Sequence, residues 1–298
     1  MKEKLIRKAK ELGFADVKIV SAEPTAVIGY PHETDPAALL PGARRVVVLF
    51  WAYGKPRRPS RRENIVLSPY YLESNRSYHK ARELTAWMQE QGMRALHTDR
   101  ISARLMALRS GSFTGRNALY VHPALGTFCI LHTVICAEEL AIDPPQPPIR
   151  RLCDSCGRCE RACPVGAIAK GELNKNCLRR RMGRNPVDEE VRLKVFQLLG
   201  CERCQEVCPY NRDVPVADTP EYPVADILNR RAMKDLQRVA GRNMARTNIV
   251  LAQTLAYAAS RGIPIAEETL AVLEIDPLLS EMARWARRQQ ENRTKPDD

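Results

Sequence analysis

Cysteine is the residue type whose spacing most directly indicates chemistry in this chain. Eight of its ten cysteines fall into one pattern: Cys153, Cys156, Cys159, Cys163, Cys177, Cys201, Cys204 and Cys208. The first four read C-x2-C-x2-C-x3-C, the last three read C-x2-C-x3-C, and each run is followed directly by proline. The first run is typical of ferredoxins with two 4Fe–4S clusters, in which its fourth cysteine ligates the other cluster. The sequence therefore predicts two such clusters.

The same crossover rule predicts which thiolates share a cluster. The first cluster takes three cysteines of the first run and the last cysteine of the second: Cys153, Cys156, Cys159 and Cys208. The second takes the remaining four, with Cys177 in place of the member that the second run lacks: Cys163, Cys177, Cys201 and Cys204. A zinc site would use about four thiolates and leave the others without a role. Disulfides would need an oxidising compartment.

The other two cysteines, Cys129 and Cys136, lie in the apolar stretch TFCILHTVIC. In a strand their spacing puts them on opposite faces, and we expect both to be buried, inert thiols. The N-terminus lacks the apolar core of a signal peptide. No apolar run of about eighteen residues occurs either. We therefore expect a soluble, cytoplasmic protein with no membrane partner.

The chain has a net charge of +12, and the excess of bases is concentrated in three segments. Residues 150–184 contain ten Lys or Arg and three acids, residues 55–62 contain five bases and no acid, and residues 230–246 contain six bases and one acid. The first segment could offset the negative charge of the clusters, but the other two need another explanation. Basic patches of this kind favour a partner with a phosphate backbone. The alternative is a solvated basic surface.

The length of 298 residues allows about two domains, and the order of predicted elements favours an α+β fold. The predicted segments are an α/β domain over 1–142, a proline-rich linker over 143–149, a ferredoxin-like module over 150–213, a helical region over 214–290 and a disordered tail over 291–298. Hydrophobic periodicity predicts helices over 2–12, 76–91 and 101–110, strands over 15–20 and 46–48, and two strands about a turn near 123–126.

Several stretches resemble epoxyqueuosine reductase, the cobalamin-dependent enzyme that completes queuosine in tRNA. They are residues 35–54, SYHK at 77–80, SGSFTGRNALYVHPALGTF at 110–128, the CDSC start of the first cysteine run, and GCERCQEVCPYN at 200–211. The resemblance covers most of the chain, and the last stretch is the most specific. The C-terminal helical pieces also resemble a shortened pair of HEAT-type helices.

The resemblance implies a corrinoid-binding N-terminal domain that uses cobalamin beside the two 4Fe–4S clusters. It also implies tRNA as substrate and an external electron donor such as a flavodoxin or ferredoxin, and we expect a monomer. The candidate cofactor contacts are Tyr78, Gly115, Asn117 and Glu202, although Gly115 and Asn117 could merely shape a turn. The candidate tRNA contacts are Arg179, Arg180 and Arg181.

The family chemistry requires an acid that protonates the departing epoxide oxygen. Asp99 is the only carboxylate in the corresponding stretch, LHTDRISARLMALRSGSFTGRN, but it lies three residues closer to the G-x-N sequence than the family acid does. Counting without gaps puts His97 in that place instead. We favour Asp99 and keep His97 as the alternative.

Two other functions remain open at this stage. The first is a corrinoid and iron–sulfur reductase that acts on a small molecule, as reductive dehalogenases do. The second is a ferredoxin-type electron-transfer protein whose N-terminal domain has no catalytic role. Cobalamin binding would separate the second from the enzymes, and tRNA binding would separate the two enzymes from each other.

Overall fold

The computed structural model describes residues 1–25, 34–145, 152–169 and 172–294. The chain forms two compact units, and neither is continuous in sequence. Unit 1 comprises residues 1–53, 73–157 and 208–214, and unit 2 comprises residues 54–72, 158–207 and 215–298. Five points along the chain therefore separate stretches that belong to different units.

The first 136 residues contain most of the strands. Their elements are α1 (Lys2–Glu11), β1 (Asp16–Ser21), β2 (Arg45–Ala52), β3 (Asn64–Val66), α2 (Pro69–Glu90), β4 (Ala95–Thr98), α3 (Ala103–Arg109), β5 (Phe113–Thr114), β6 (Tyr120–Val121) and β7 (Cys129–Cys136). A 3-10 turn covers Pro36–Ala38. Four of the strands form an antiparallel sheet in unit 1, in the order β1-β2-β7-β4.

Side chains alternate between the two faces of this sheet. Val47 and Leu49 pack in one core with residues of α1 and α2, whereas Val46, Val48 and Phe50 pack in another with residues of α3. Because both faces are covered, the central strand β2 is a continuous apolar run. The predicted buried strand at residues 46–48 is confirmed.

The cysteine-bearing part of the chain consists of short elements. They are α4 (Cys153–Cys156), α5 (Arg158–Ala162), β8 (Ile168–Ala169), β9 (Glu172–Leu173), α6 (Leu178–Met182), a 3-10 helix (Glu189–Lys194), α7 (Arg203–Glu206) and a second 3-10 helix (Pro209–Asn211). β8 and β9 pair as a small antiparallel ribbon, and α5 and α7 contact each other within unit 2.

The C-terminal part of unit 2 is helical after one strand. Its elements are β10 (Glu221–Pro223), α8 (Val224–Leu228), α9 (Met233–Ala240), α10 (Thr247–Arg261), α11 (Glu267–Ile275) and α12 (Ser280–Thr294). β10 pairs with β3, and α10 is buried along most of its length against α8, α12 and the 3-10 helix Glu189–Lys194. Residues 64–66 are therefore part of the unit that contains these helices.

Several predicted boundaries differ from the structure. Unit 2 includes residues 54–72, which we assigned to the N-terminal domain, and unit 1 includes residues 208–214, which we assigned to the ferredoxin-like module. Helix α12 extends to Thr294, so the predicted tail over 291–298 is helical in its first half. Residues 146–149 of the predicted linker and 295–298 of the tail lie outside the described residues.

Within residues 1–25, 34–145, 152–169 and 172–294, every helix is too short or too polar to cross a bilayer.

Candidate functional site

The thiols predicted to hold the second cluster all belong to unit 2. Cys163 follows α5, and Cys177 precedes α6. Cys201 lies two residues before α7, and Cys204 lies within it. Burial is the largest cause that raises the pKa of Cys201 to about 12, and Cys177 and Cys163 lie close enough to contribute. The sulfur of Cys163 accepts a hydrogen bond of 3.2 Å from the N–H of Ala167. Cys163, Cys177 and Cys201 are therefore near one another, and the assignment of all four thiols to one cluster stays a prediction.

Three thiols predicted for the first cluster, Cys153, Cys156 and Cys208, belong to unit 1, and the fourth, Cys159, is on α5 in unit 2. Tyr210 lies beside two of them. Burial raises the pKa of its phenol, and the nearby Cys153 and Cys208 raise it further. Its hydroxyl accepts a hydrogen bond of 2.5 Å from the N–H of Leu152, so Tyr210 fixes the start of the first cysteine run.

All eight cysteines lie outside disulfides and are of intermediate exposure. Among the described residues, no three His, Cys, Asp or Glu side chains converge tightly enough to hold a single metal ion. A 4Fe–4S cluster takes its thiolates at the outside of an iron–sulfur cage instead. Eight cysteine thiols are the ligands that two 4Fe–4S clusters require.

Glu202, a candidate cofactor contact, belongs to a buried hydrogen-bond network. Its side chain is only 2% exposed, and its two oxygens accept hydrogen bonds from Ser68 Oγ (2.6 Å) and from Gln197 Nε2. Burial raises the pKa of its carboxyl group. A Cβ atom at Gly200 would lie 2.5 Å from the Ser68 Cβ, so glycine is required for this close approach. Glu202 thus anchors the loop that carries Cys201.

Two stretches that carry the family resemblance meet within unit 1. The buried Asn211 accepts a hydrogen bond from the Thr127 N–H and donates one to Thr127 Oγ1, both at 2.8 Å. Gly126 has φ +62°, and a Cβ there would lie 2.6 Å from the Tyr210 carbonyl oxygen. The ring of Phe113 meets that of Tyr210 edge-on at 5.7 Å. The segment that follows Cys208 is therefore packed on the β5–β7 region.

The Gly115–Asn117 turn lies against the first cysteine of the first run. A Cβ at Gly115 would meet the sulfur of Cys153 at 3.7 Å and Oδ1 of Asn117 at 2.9 Å. Asn117 is 4% exposed and accepts from the Leu119 N–H at 3.4 Å. The left-handed residue is Ala118 (φ +61°) rather than Asn117, and Arg104 donates to its carbonyl at 2.7 Å. Asn117 shapes this turn, whereas Gly115 permits close approach beside Cys153.

The two candidate acids lie at one end of the sheet in unit 1. His97 is half-buried on β4, and Asp99 is exposed in the bend that follows it. Burial lowers the pKa of His97, Asp99 opposes that effect, and Arg82 adds to it. Tyr78, which we proposed as a cofactor contact, is 44% exposed, and its ring lies 5.2 Å from that of His97. The structure therefore brings Tyr78, His97 and Asp99 together.

A hydrogen-bond chain that the sequence did not predict extends behind His97. His132 on β7 places Nδ1 3.4 Å from His97 Nε2 and Nε2 2.8 Å from Ser77 Oγ. Ser77 donates its own proton to the Ser74 carbonyl. His132 must then donate through Nε2 and accept from His97 through Nδ1. Burial lowers the pKa of His132 to about 3, so the chain consists of neutral groups.

The three candidate tRNA contacts differ in their surroundings. Arg179 stacks on Tyr70 and Tyr71, with its guanidinium carbon 4.4 and 5.2 Å from their ring centres. Arg181 forms ion pairs with Asp188 and Glu190. Arg180 is exposed and has no side-chain partner within the described part of the chain. Of the three arginines, Arg180 is therefore the one that neither stacks on an aromatic ring nor forms an ion pair within the described part of the chain.

Fold and thiols together define an iron–sulfur protein with a mixed α/β fold. Residues 152–211 match the family model of the 4Fe-4S double cluster binding domain. The epoxyqueuosine reductase of Bacillus subtilis is 26% identical to this chain, over 96% of the chain and 86% of the enzyme.

Solved structures extend the similarity to three dimensions. One is epoxyqueuosine reductase from Bacillus subtilis with a catalytic aspartate loop swung out of the active site (TM-score 0.79, 22% identity, 97% of this chain and 90% of that one). Another is epoxyqueuosine reductase with an epoxyqueuosine-modified stem loop of tyrosine tRNA (TM-score 0.79, 22% identity, 100% and 95%). The chain resembles epoxyqueuosine reductases over nearly its whole length and has their fold.

Proposed function

We propose that this protein is an iron–sulfur and cobalamin-dependent oxidoreductase that converts epoxyqueuosine to queuosine in tRNA. The observation that carries the proposal is the meeting, within unit 1, of the Gly115 turn, Cys153 and the segment after Cys208. These are the stretches by which the sequence resembles epoxyqueuosine reductase. A relative of the same fold has been solved with the modified stem loop, which supports tRNA as the substrate.

The reaction consumes two electrons and two protons, because the epoxide oxygen leaves as water and a carbon–carbon double bond forms. When bound, the clusters and cobalamin supply the low-potential electrons that open the epoxide. Cys163, Cys177, Cys201 and Cys204 would hold one cluster. Cys153, Cys156, Cys159 and Cys208 would hold the other. In the corrinoid site, Gly115 would allow close approach because it presents no side chain, and Tyr78 would offer an exposed ring.

The chain's own residues would deliver the proton. We propose Asp99 as the acid because it is the only carboxylate in this stretch and lies outside the neutral hydrogen-bond chain that includes His97. Its lowered pKa leaves His97 uncharged near neutral pH, where a neutral imidazole is a poor acid. The catalytic loop of the Bacillus subtilis structure is identified by an aspartate, which supports the choice of a carboxylate.

The proposal includes the partners that the sequence implied. The protein would act as a monomer in the cytoplasm and would receive electrons from an external donor such as a flavodoxin or ferredoxin. Arg180 and the stacked Arg179 lie on α6, which Cys177 directly precedes. Of these, Arg180 is the better tRNA contact because the guanidinium of Arg179 is already stacked on Tyr70 and Tyr71.

The test has two stages on the anaerobically reconstituted protein. Titration with cobalamin should change the visible spectrum with saturation, and a protein that does not bind cobalamin would be an electron-transfer protein instead. Reduced enzyme should then convert an epoxyqueuosine-containing stem loop to queuosine, measured by mass spectrometry of the digested RNA. Cobalamin binding without RNA binding or conversion would contradict the tRNA substrate and favour a small molecule.

A further inference from the structure

Unit 2 contains a cavity of about 510 Å³ whose walls carry an excess of arginine. The charged residues that line it are Arg57, Arg58, Arg62, Arg203, Arg261 and Glu206. The loop 55–62, whose five bases the clusters did not explain, thus forms one wall. Volumes of this order are typical of ligand sites in proteins.

Few of these positive charges are neutralised locally. Arg203 pairs with Glu206 at 3.1 Å, and Arg57 pairs with Glu221 at 3.2 Å. Arg62 instead donates to two backbone carbonyls, those of Arg261 and Gly262. Arg58 is exposed and has no side-chain partner among the residues that the structure describes. Five guanidinium groups therefore face two carboxylates, which leaves the cavity strongly positive.

The composition of the walls is typical of a protein interface. Every base that lines the cavity is arginine, and the aromatic lining residues are Phe196 and Tyr257. Arg203 stacks over Phe196 at 4.2 Å, and Arg261 lies over Tyr257 at 5.6 Å. Arginine and aromatic residues are enriched in the centres of protein–protein interfaces, and lysine is depleted there.

The cavity also lies beside the thiols of the second cluster. Its lining residues Arg203 and Glu206 are on α7, and Cys204 is on the same helix between them. A molecule seated in the cavity is therefore about one helical turn from a cluster ligand. By contrast, the candidate acids and the Gly115 turn belong to unit 1.

We propose that this arginine-lined cavity is the docking site for the electron donor, a small redox protein with an acidic surface. The inference rests on the proposed function in one respect: the clusters must receive their electrons from another protein. The phosphates of an RNA strand form an extended row, whereas this cavity is concave, and two of its lining residues, Arg203 and Glu206, flank Cys204 on α7. Each encounter transfers one electron: the flavin hydroquinone or reduced cluster of the donor is oxidised, and the second cluster is reduced.

The test measures cluster reduction and needs neither cobalamin nor tRNA. A bacterial flavodoxin in its hydroquinone form is mixed with the cluster-reconstituted protein, and bleaching of the visible absorbance gives the second-order rate constant. Arg58→Glu should slow this step about tenfold at low salt, because a charge at an interface acts mainly on the association rate. High salt should bring the variant and the unchanged protein together.

Arg61→Glu is the matched control. Arg61 is exposed on the same loop, has no side-chain partner among the described residues and does not line the cavity. This variant should stay within about twofold of the unchanged protein, and reduction by methyl viologen radical cation should not be slowed in either variant. Equal rates for Arg58→Glu and Arg61→Glu would overturn the proposal. Weaker stem-loop binding by Arg58→Glu with an unchanged donor rate would assign the cavity to RNA and also overturn it.

Discussion

His97 and Asp99 are only two residues apart, yet the structure gives them different chemical environments. His97 donates into the chain through His132 to Ser77, and its imidazole is held neutral. Asp99 is exposed and is free of that chain. In our proposal His97 therefore orients the end of β4, and Asp99 transfers the proton.

Replacing each candidate acid separately tests this division. Asp99→Asn should keep cobalamin binding and cluster reduction but lower turnover at least a hundredfold, the usual contribution of a general acid. His97→Gln should have a smaller effect because glutamine still offers a donor to His132. Single-turnover conversion of the stem loop measures both. Full activity in Asp99→Asn together with inactivity in His97→Gln would mean that histidine is the acid.

The His132 environment predicts a pH-dependent loss of stability. The pKa of His132 falls from its ordinary 6.5 to about 3 in the folded protein, so the unfolded chain binds a proton first as the pH drops. The contribution of neutral His132 to the free energy of unfolding is therefore complete above about pH 6.5 and is lost progressively below that pH. Between pH 7 and 5.5 the loss should be about 1 kcal/mol, at 1.36 kcal/mol per pH unit and proton.

Denaturant unfolding at the two pH values measures this loss. His132→Gln should make the free energy of unfolding less dependent on pH over this range. His79→Gln, at an exposed position on α2, is the control and should leave the dependence unchanged. Identical pH profiles for both variants would show that His132 does not carry the effect.

For single residues, the sequence predicted which side chains belong to the candidate site better than it predicted which side chains contact each other. The family resemblance singled out Asp99, His97 and Tyr78, and these residues are neighbours. The hydrogen bonds from His97 through His132 to Ser77 were not predicted. Alternation in the strands would have shown that His132 shares a face with Val134 and His97 with Ala95. The missing information was the register of β4 on β7, which joins residues far apart in sequence.

The cysteine-bearing helices differ in how they are held: α4 and α5 have no buried residue, whereas α6 buries Leu178 and Met182. Cys177 lies outside both motifs and precedes α6. Its proximity to Cys201 supports the assignment to the second cluster.

Cys177→Ser should therefore retain about half of the iron, since one cluster would lose a ligand and the other would keep all four. Iron and sulfide analysis after reconstitution measures the ratio. Cys129→Ala and Cys136→Ala are the controls, because these thiols lie on β7 and face the two cores. A Cys177→Ser protein with full iron and an unchanged spectrum would contradict this ligand set.

Element predictions succeeded where local patterns are strong. The strand at residues 46–48 and the first helix followed from β-branched residues and helical periodicity. Helix α2 begins at Pro69, seven residues before the predicted start at 76, because proline is favoured in the first turn of a helix. The pairing of β3 with β10 joins residues about 157 positions apart, for example Ile65 with Tyr222, and no local pattern reveals it.

At the scale of the whole molecule, the charge of +12 predicts binding to RNA that weakens with salt. Reversal of all three arginines 179–181 would disturb folding as well, because Arg179 is stacked and Arg181 is paired. Arg180→Ala is the cleaner change. It should reduce the slope of log affinity against log salt by about 0.7–0.9, the value for one phosphate contact.

Electrophoretic or fluorescence titration of a tRNA stem loop at several salt concentrations gives this slope. Arg288→Ala, at an exposed position on α12, is the matched control and should leave the slope unchanged. If Arg180→Ala binds with the same slope as the unchanged protein, α6 is not part of the RNA contact.

The alternation of the chain between the two units restricts how the coding sequence can be divided. Asn211, which anchors Thr127 in unit 1, is encoded after the cysteines of unit 2, and residues 54–72 of unit 2 are encoded before most of unit 1. No single break in the gene would leave a fragment that encodes one whole unit and no part of the other. Recombination could therefore transfer the pair of units to another protein, but neither unit alone as one uninterrupted exon or cassette.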